Sequence, residues 1–463
     1  MDTFERAYAK PLLAEDPMPA APAAPAGPMP MGVAPATSFS LHGCVLTPLE
    51  RLDDAWVDVE GSTITRVGTA APPAAFTRIE TDGIILPGLI DLHGHPEYNV
   101  FAAWEPPRLY LNRGQWRGSK EYAAVVKVPV AKLGEAPSLE RTLARYAEAR
   151  ALVTGTTAIQ GSNGKFTNVE ESLVRNVDRR IFGSHKARSI VDLGRTKPAD
   201  RATLRKQIDA GTVTAVYIHL AEGTDDGSRK EFADLVDSKL LTAATIIIHG
   251  TALQPADLDQ VAAAGAKLVW SPQSNLRLYG QTTTAGAARA RGIALGLGAD
   301  WLPSGSPSLL AELKVARRCL ELEGTPATAE EMVKMVTADA AAIAGLGDKL
   351  GLLAKDRPAD VLVLDRVHPD PWESVALAEP SSVALVVLGG EVAYGRADWV
   401  RTLAGTPDGA PDPGSAEPVI AWGERMLVDT SYSVKTQAAA PPRLADLRAE
   451  LIARYPQVGP ILA

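Results

Sequence analysis

Residues 84–95 read IILPGLIDLHGH. An apolar run is broken by Pro87-Gly88, resumes, and ends in His93 and His95. On an extended strand residues two apart point to the same side, so the two imidazoles face one way. Alone, this HxH is weak evidence, because two polar residues closing a strand would read the same. The pattern recurs downstream. AVYIHLAE (215–222) and ATIIIHG (244–250) are apolar runs that lead into His219 and His249, and IALGLGAD (293–300) ends in Asp300. A lone histidine after such a run is more often a satisfied core residue than a ligand. Three such strands and a fourth ending in an acid shift the balance, because in a parallel barrel every strand C-terminus opens on one face. His93, His95, His219, His249 and Asp300 then form a donor set suited to a borderline-soft divalent cation.

The surrounding sequence alternates strands and helices, which indicates a parallel sheet with crossovers. Further strands are expected at TTAIQ (156–160), RIFGSH (180–185) and KLVWSP (267–272), with an eighth somewhere between Arg188 and Val213. Helices are expected at 139–153, at 307–324 and at 328–345, the last opened by a Thr328/Glu331 capping box. The predicted fold class is α/β, a (β/α)8 TIM barrel over 86–349. Short β-rich blocks with turn signals flank it at 39–85 and 350–400, which suggests a small β-sandwich built from both chain ends. Residues 1–38 are an Ala/Pro-rich leader expected to be flexible. The tail, 401–463, reads as a linker followed by an amphipathic helix at PPRLADLRAELIARYP (441–456).

With 463 residues the chain is long enough for such a barrel and a companion unit. The formal net charge of -8 gives no electrostatic reason to seek nucleic acid or an anionic membrane. No stretch approaches the roughly 18 consecutive apolar residues of a membrane span. Cys44 and Cys319 do not make a disulfide framework, and the first residues carry no signal-peptide pattern, so a cytoplasmic enzyme is expected.

Read in order, PGLIDLHGH, HLAEG, HGTAL, SPQSNLRL, LGLGADWLPSGS and RPADVLVLD resemble the amidohydrolase superfamily of metal-dependent hydrolases, over about residues 39–395. The HxxE at His219–Glu222 and the Ser274-Asn275 pair are similar to the triazine-hydrolase, guanine-deaminase and cytosine-deaminase branch. The resemblance implies that His93, His95, His219 and Asp300 bind one metal ion, with zinc the default and iron, manganese or cobalt the alternatives. It implies that His249 polarises the bond under attack or serves as a fifth ligand, that Glu222 shuttles protons, and that Asp300 also orients the attacking hydroxide. The plainer reading of Glu222 is a salt bridge. Lys186 is the one candidate for the bridging lysine of two-metal members, and a structural role suits it better. Self-association into a homo-oligomer is also implied.

The run from Pro96 to Tyr122 is enriched in aromatics: Tyr98, Phe101, Trp104, Tyr110, Trp116 and Tyr122, with Arg108, Arg113 and Arg117 among them. Such a loop can wall a pocket for a flat substrate, or it can pack under its own rings. On the first reading Tyr98, Trp104, Ser274, Asn275 and Trp301 contact the substrate. The continuations HPEYNVF and WLPSGS depart from the deaminase pattern, which brings amide, urea and carbamate hydrolysis forward, as in phenylurea hydrolases. The expected function is metal-dependent cleavage of a C–N bond (amide, urea, carbamate or cyclic amidine) in a small ring-bearing molecule. The alternatives are a hydrolytic deaminase or chlorohydrolase of a purine, pyrimidine or triazine, and a non-catalytic scaffold.

Overall fold

The computed structural model describes residues 34–133, 139–161, 172–178, 181–184, 186–413, 416–430 and 443–458. Residues 1–33 of the expected leader, and His185, lie outside the described residues.

The N-terminal block folds into β1 (Phe39–Leu46), β2 (Arg51–Glu60), β3 (Thr63–Gly68) and β4 (Thr77–Pro87). Eight short strands follow: β5 (Leu89–Asp91), β6 (Thr156–Ile159), β7 (Arg175–Asn176), β8 (Ala187–Ile190), β9 (Ala215–Leu220), β10 (Thr245–His249), β11 (Lys267–Trp270) and β12 (Leu295–Leu297). The C-terminal block adds β13 (Val361–Leu364), β14 (Val383–Leu388), β15 (Glu391–Arg396), β16 (Glu417–Ala421) and β17 (Glu424–Val428).

The eight central strands form two parallel arcs, β8 to β12 and β5 to β7. Backbone hydrogen bonds join the arcs where the chain's first and last barrel strands meet: Leu92 N to Leu297 O at 3.1 Å, Asp300 N to His93 O at 2.7 Å and His95 N to Asp300 O at 2.9 Å. The result is a barrel-like α/β arrangement. Among the described residues no ladder pairs β7 with β8. The strands read as continuous apolar runs because they are covered on both faces; Val216, Ile218, Ile246, Ile247 and Leu268 are fully buried.

Of the strand expected at 180–185, the described residues 181–184 form a turn instead. Ile181 and Ser184 exchange backbone hydrogen bonds across Phe182 (φ 48) and Gly183 (φ 78), a tight turn with both central residues left-handed. The strands are β7 and β8 on either side of it. Two-residue β7 has no hydrophobic pattern to announce it, and β8 begins one residue before the window where an eighth strand was sought. The helix expected over 328–345 divides into Ala329–Lys334 and Ala338–Ile343, with the Thr328/Glu331 capping box in place. The break frees the carbonyls of Met335 and Val336 to accept hydrogen bonds from Leu297 N and Ile90 N.

Both chain ends contribute to one nine-stranded sheet, ordered β16-β17-β15-β14-β13-β4-β1-β2-β3, with β13 antiparallel to β4 at the junction. It has its own apolar cluster, including Phe39, Leu41, Val57, Ile85, Val363 and Val387. The tail departs from the expected linker: residues 417–428 form a hairpin that extends this sheet, turning at Trp422 (φ 49) and Gly423 (φ 88). The terminal helix spans Leu444–Arg454 and packs on helix Leu139–Val153. No helix among the described residues is long and apolar enough to cross a membrane.

Barrel and sheet are tied by a buried bidentate pair. Arg175 on β7 donates from Nε to Asp360 Oδ2 at 2.5 Å and from Nη2 to Asp360 Oδ1 at 2.8 Å, and Gly389 N donates to the same Oδ1 at 2.8 Å. Removing one partner strands a buried charge. Asp360→Ala is expected to lower the unfolding free energy by about 3–5 kcal/mol in a urea titration; a loss near zero would show that the pair does not brace the two parts.

Candidate metal centre

Four strands deliver the site. His93 follows β5, His219 lies within β9, His249 ends β10 and Asp300 follows β12. Their rings and carboxylate converge: His93 stands 4.9 Å from His95, 4.7 Å from His219 and 5.0 Å from His249 between ring centroids. Asp300 Oδ1 lies 3.1 Å from His93 Nε2 and 3.6 Å from His95 Nε2. Ligand atoms of His93, His95 and His219, and of His93, His249 and Asp300, lie within 4.8 Å of one another. All five side chains are buried.

The backbone is bent to make this possible. His249 (φ 68) and Asp300 (φ 62) adopt the left-handed region, as does Ala221 (φ 52) just before Glu222. Non-glycine residues there cost about 1–3 kcal/mol each, a strain that persists where surrounding structure enforces it. Gly298 lets β12 press against the ligand strand, since a Cβ there would sit 2.4 Å from the Cβ of His93.

The electrostatics fit a cation. Burial, together with the neighbouring His93 charge, lowers His95 to about 3 and puts His219 well below its ordinary value. Burial also lowers His249, although Glu222 opposes it. Burial of His93 works the same way, but Asp300, with Asp91 and Glu222 behind it, outweighs burial and raises that imidazole. Burial would raise Asp300, yet His93, His249 and His95 hold it below the usual carboxylate range. The cluster is therefore rich in imidazole lone pairs around one carboxylate. Neither ring nitrogen of His93 makes a hydrogen bond, although both are fully buried. Nε2 faces the Asp300 carboxylate at 3.1 Å, and a buried imidazole whose nitrogens make no hydrogen bond is costly unless something coordinates it.

Glu222 stands at the rim of the cluster, 3.7 Å from His249 Nε2. Tyr279 Oη donates to its Oε1 at 2.6 Å, and Arg113 Nη1 donates to its Oε2 at 3.2 Å. Asn275 Oδ1 is 3.0 Å from His249 Nδ1, while its Nδ2 donates to Thr282 Oγ1 at 3.3 Å. With the amide oriented that way, His249 Nδ1 carries the proton and Nε2 presents a lone pair to the cluster. Ser274 lies one step back, 2.8 Å from Ser304 Oγ, which also accepts from Trp301 Nε1 at 2.5 Å.

Of the aromatic residues, Tyr98 adjoins the cluster, 6.3 Å from His95 between ring centroids, and Trp301, next in the chain to Asp300, packs on Tyr98 at 5.3 Å. Trp116 and Tyr122 also pack on Trp301. Trp104 sits farther out, against Tyr110 and Tyr122. All six loop aromatics are buried, so the loop packs on its own rings. Lys186 is exposed at the start of β8, on the rim opposite the ligands.

Sequence reasoning gave no role to Tyr279, Glu231 or Arg113. Tyr279 is four residues after Asn275 on helix Pro272–Tyr279, so one helical face presents both. Arg113 and Glu231 carried no spacing signal. Glu312 was also missed. It is fully buried, accepts from Gln273 N at 3.1 Å, and leaves Oε2 without a hydrogen-bond partner.

Residues 84–393 match the model of the amidohydrolase family. A 5-methylthioadenosine/S-adenosylhomocysteine deaminase of Symbiobacterium thermophilum is 23% identical over 369 residues, 69% of this chain and 84% of that protein. Among solved structures, a mutant atrazine chlorohydrolase of Arthrobacter aurescens, complexed with zinc and atraton, has a TM-score of 0.65 at 19% identity, over 80% of this chain and 99% of that one. Guanine deaminase of E. coli has a TM-score of 0.62 at 17% identity, over 78% and 99%. Triazine hydrolase and guanine deaminase are two of the branches that the sequence motifs resemble; the 5-methylthioadenosine/S-adenosylhomocysteine deaminases were not named from the motifs.

Burial pushes Glu312 up to about 8, with hydrogen bonds from Ser306 and Gln273 opposing it. The folded protein then keeps this proton where the unfolded chain has released it, so stability falls as pH rises from about 4.5 to about 8. Glu312→Gln is expected to raise the melting midpoint at pH 8 and to leave it nearly unchanged at pH 4.5. An equal shift at both pH values would rule out ionisation as the cause.

Proposed function

Because this chain belongs to the amidohydrolase family, we propose that it hydrolyses a C–N bond, other than a peptide bond, in a small ring-bearing molecule, using water activated by one divalent metal ion. The observation that carries this reading is the convergence of four buried imidazoles and one carboxylate with both nitrogens of His93 lacking hydrogen bonds. His93, His95, His219 and Asp300 would hold the ion. Zinc is the first choice, supported by the zinc in the chlorohydrolase structure; iron, manganese and cobalt suit the same donors. When bound, such an ion supplies hydroxide at neutral pH by lowering the pKa of its water from 15.7 to about 7.

The chain's own groups handle the proton. Glu222 accepts it at a carboxylate oxygen and returns it to the leaving group, held in aim by Tyr279 and Arg113. Asp300 accepts a hydrogen bond from the attacking water and orients it. His249 has two open roles. Its Nε2 lone pair suits a fifth ligand; polarising the substrate requires that nitrogen to carry a proton. Tyr98, Trp301 and Asn275 border the space left for substrate, with Ser274 and Trp104 supporting them from behind. The barrel of 86–349 carries the chemistry, and the composite β unit, closed as a sandwich, supports it. A cytoplasmic homo-oligomer belongs to the same reading.

A second reading, hydrolytic deamination of an aminoheterocycle, is favoured by the names of the relatives. Ammonia as product supports it; an organic amine or carboxylate supports amide or urea hydrolysis.

Elemental analysis is expected to find one metal equivalent per chain, lost in His219→Ala together with turnover on a panel of cyclic amides, ureas and aminoheterocycles. Full activity in that variant would remove His219 from the site. Glu222→Gln is expected to keep the metal and lose about 10²–10⁴ in kcat; a rate near wild type would defeat the proton-transfer role.

A further inference from the structure

Resting on the function proposed above, we propose that Arg113 is the positioning residue of Glu222 and that Glu231 holds Arg113 in place, so that the loop after the first barrel strand aims the proton-transfer carboxylate.

The contacts form a closed ring. Arg113 Nη1 reaches Glu222 Oε2 at 3.2 Å, and Nη2 lies 3.6 Å from Glu231 Oε1. The other oxygen of Glu231 accepts from Ala221 N at 2.7 Å. Ala221 is the left-handed residue just before Glu222. One carboxylate thus fixes both the backbone that presents Glu222 and the guanidinium that holds its side chain. The planar fork of arginine offers a separate N–H to each of two acids in a fixed geometry, whereas an ammonium offers rotatable donors from one nitrogen. Arg113 is the more deeply placed partner, at 11% side-chain exposure against 34% for Glu231. Glu231 meets solvent in a cleft of about 310 Å³ that Arg113, Arg117 and Asp225 also line.

The second oxygen of Glu222 is held from the same helix. Tyr279 Oη, which donates to Oε1, itself accepts from Trp116 Nε1 at 2.8 Å, and Arg113 and Trp116 both lie on helix Arg113–Arg117. That helix is pinned to the loop after β9. Asn112 caps it and donates to Asp225 Oδ2 at 2.5 Å, and Thr224 N donates to Leu111 O at 2.7 Å. Gly223 (φ 150) permits the approach, since a Cβ there would lie 2.4 Å from Leu111 O. A side chain that only balanced buried charge would not require this docking of one loop on the other.

The test is a double-mutant cycle on metal-loaded protein with a substrate from the panel. Arg113→Ala is expected to lower kcat about a hundredfold, the cost of a misplaced catalytic group, while KM stays within about threefold. Arg113→Lys, which keeps the cation, is expected to recover about tenfold of that loss. In the Glu222→Gln background, Arg113→Ala is expected to cost less than about threefold, because the group it positions is gone. Equal losses in both backgrounds, or a loss confined to KM, would overturn the proposal. If metal-loaded wild type turns over nothing in the panel, the functional reading has failed, and urea unfolding of the same four proteins decides the pairing. Non-additivity of about tenfold in the unfolding equilibrium supports Arg113 as the group that holds Glu222, and additivity overturns it.

Discussion

Four imidazoles crowd around one buried carboxylate, and much of the structure answers to that crowding. Rings about 5 Å apart in a space closed to water cannot all carry charge. Asp300 offsets one positive charge, on His93, and the other rings are driven toward neutrality. Neutral rings expose lone pairs, which is the state a metal ion requires of its ligands. The left-handed turns at Ala221, His249 and Asp300, the close approach at Gly298 and the buried bases of the ligand strands keep the rings from drifting apart to relieve the crowding.

Much of this was legible in the sequence, for a physical reason. A strand buried on both faces must be apolar until it reaches the rim, so a histidine or acid ending such a run announces itself. His93, His219, His249 and Asp300 were visible that way, and β5, β6 and β9 to β12 came with them. The two-residue β7 hides because both its buried side chains, Arg175 and Asn176, are polar, and Arg175 is satisfied by Asp360, a partner far along the chain. Its neighbour Ile181-Phe182 looks like a strand because hydrophobicity does not reveal a left-handed turn. Arg113 and Glu231 were silent for a similar reason. Their significance comes from two loops docking, and loop docking leaves no periodicity.

The aromatic loop buries all six of its rings. Its rings do gather over the metal centre, as a pocket wall would. They are nonetheless spent largely on each other, around Trp301. Tyr98 is left to face the cluster, while Trp104 holds the rest of the loop in shape. Phe101 extends the stack to Tyr455, beyond the end of the terminal helix, with ring centroids 5.5 Å apart. Tyr455 thereby braces the covering of the site.

The backbone hydrogen bond from Asp300 N to His93 O joins the first and last strands of the barrel. Nearly the whole barrel must be synthesised before either residue meets the other. On the proposed ligand set, a growing chain would therefore offer only histidines, first two and then three, with no carboxylate ligand until β12 docks. High sequence separation of this kind makes barrel closure a late event in folding. On that reading, full-strength ion capture would mark the moment of closure, and the ion's binding energy would select molecules whose ends have met over those still open.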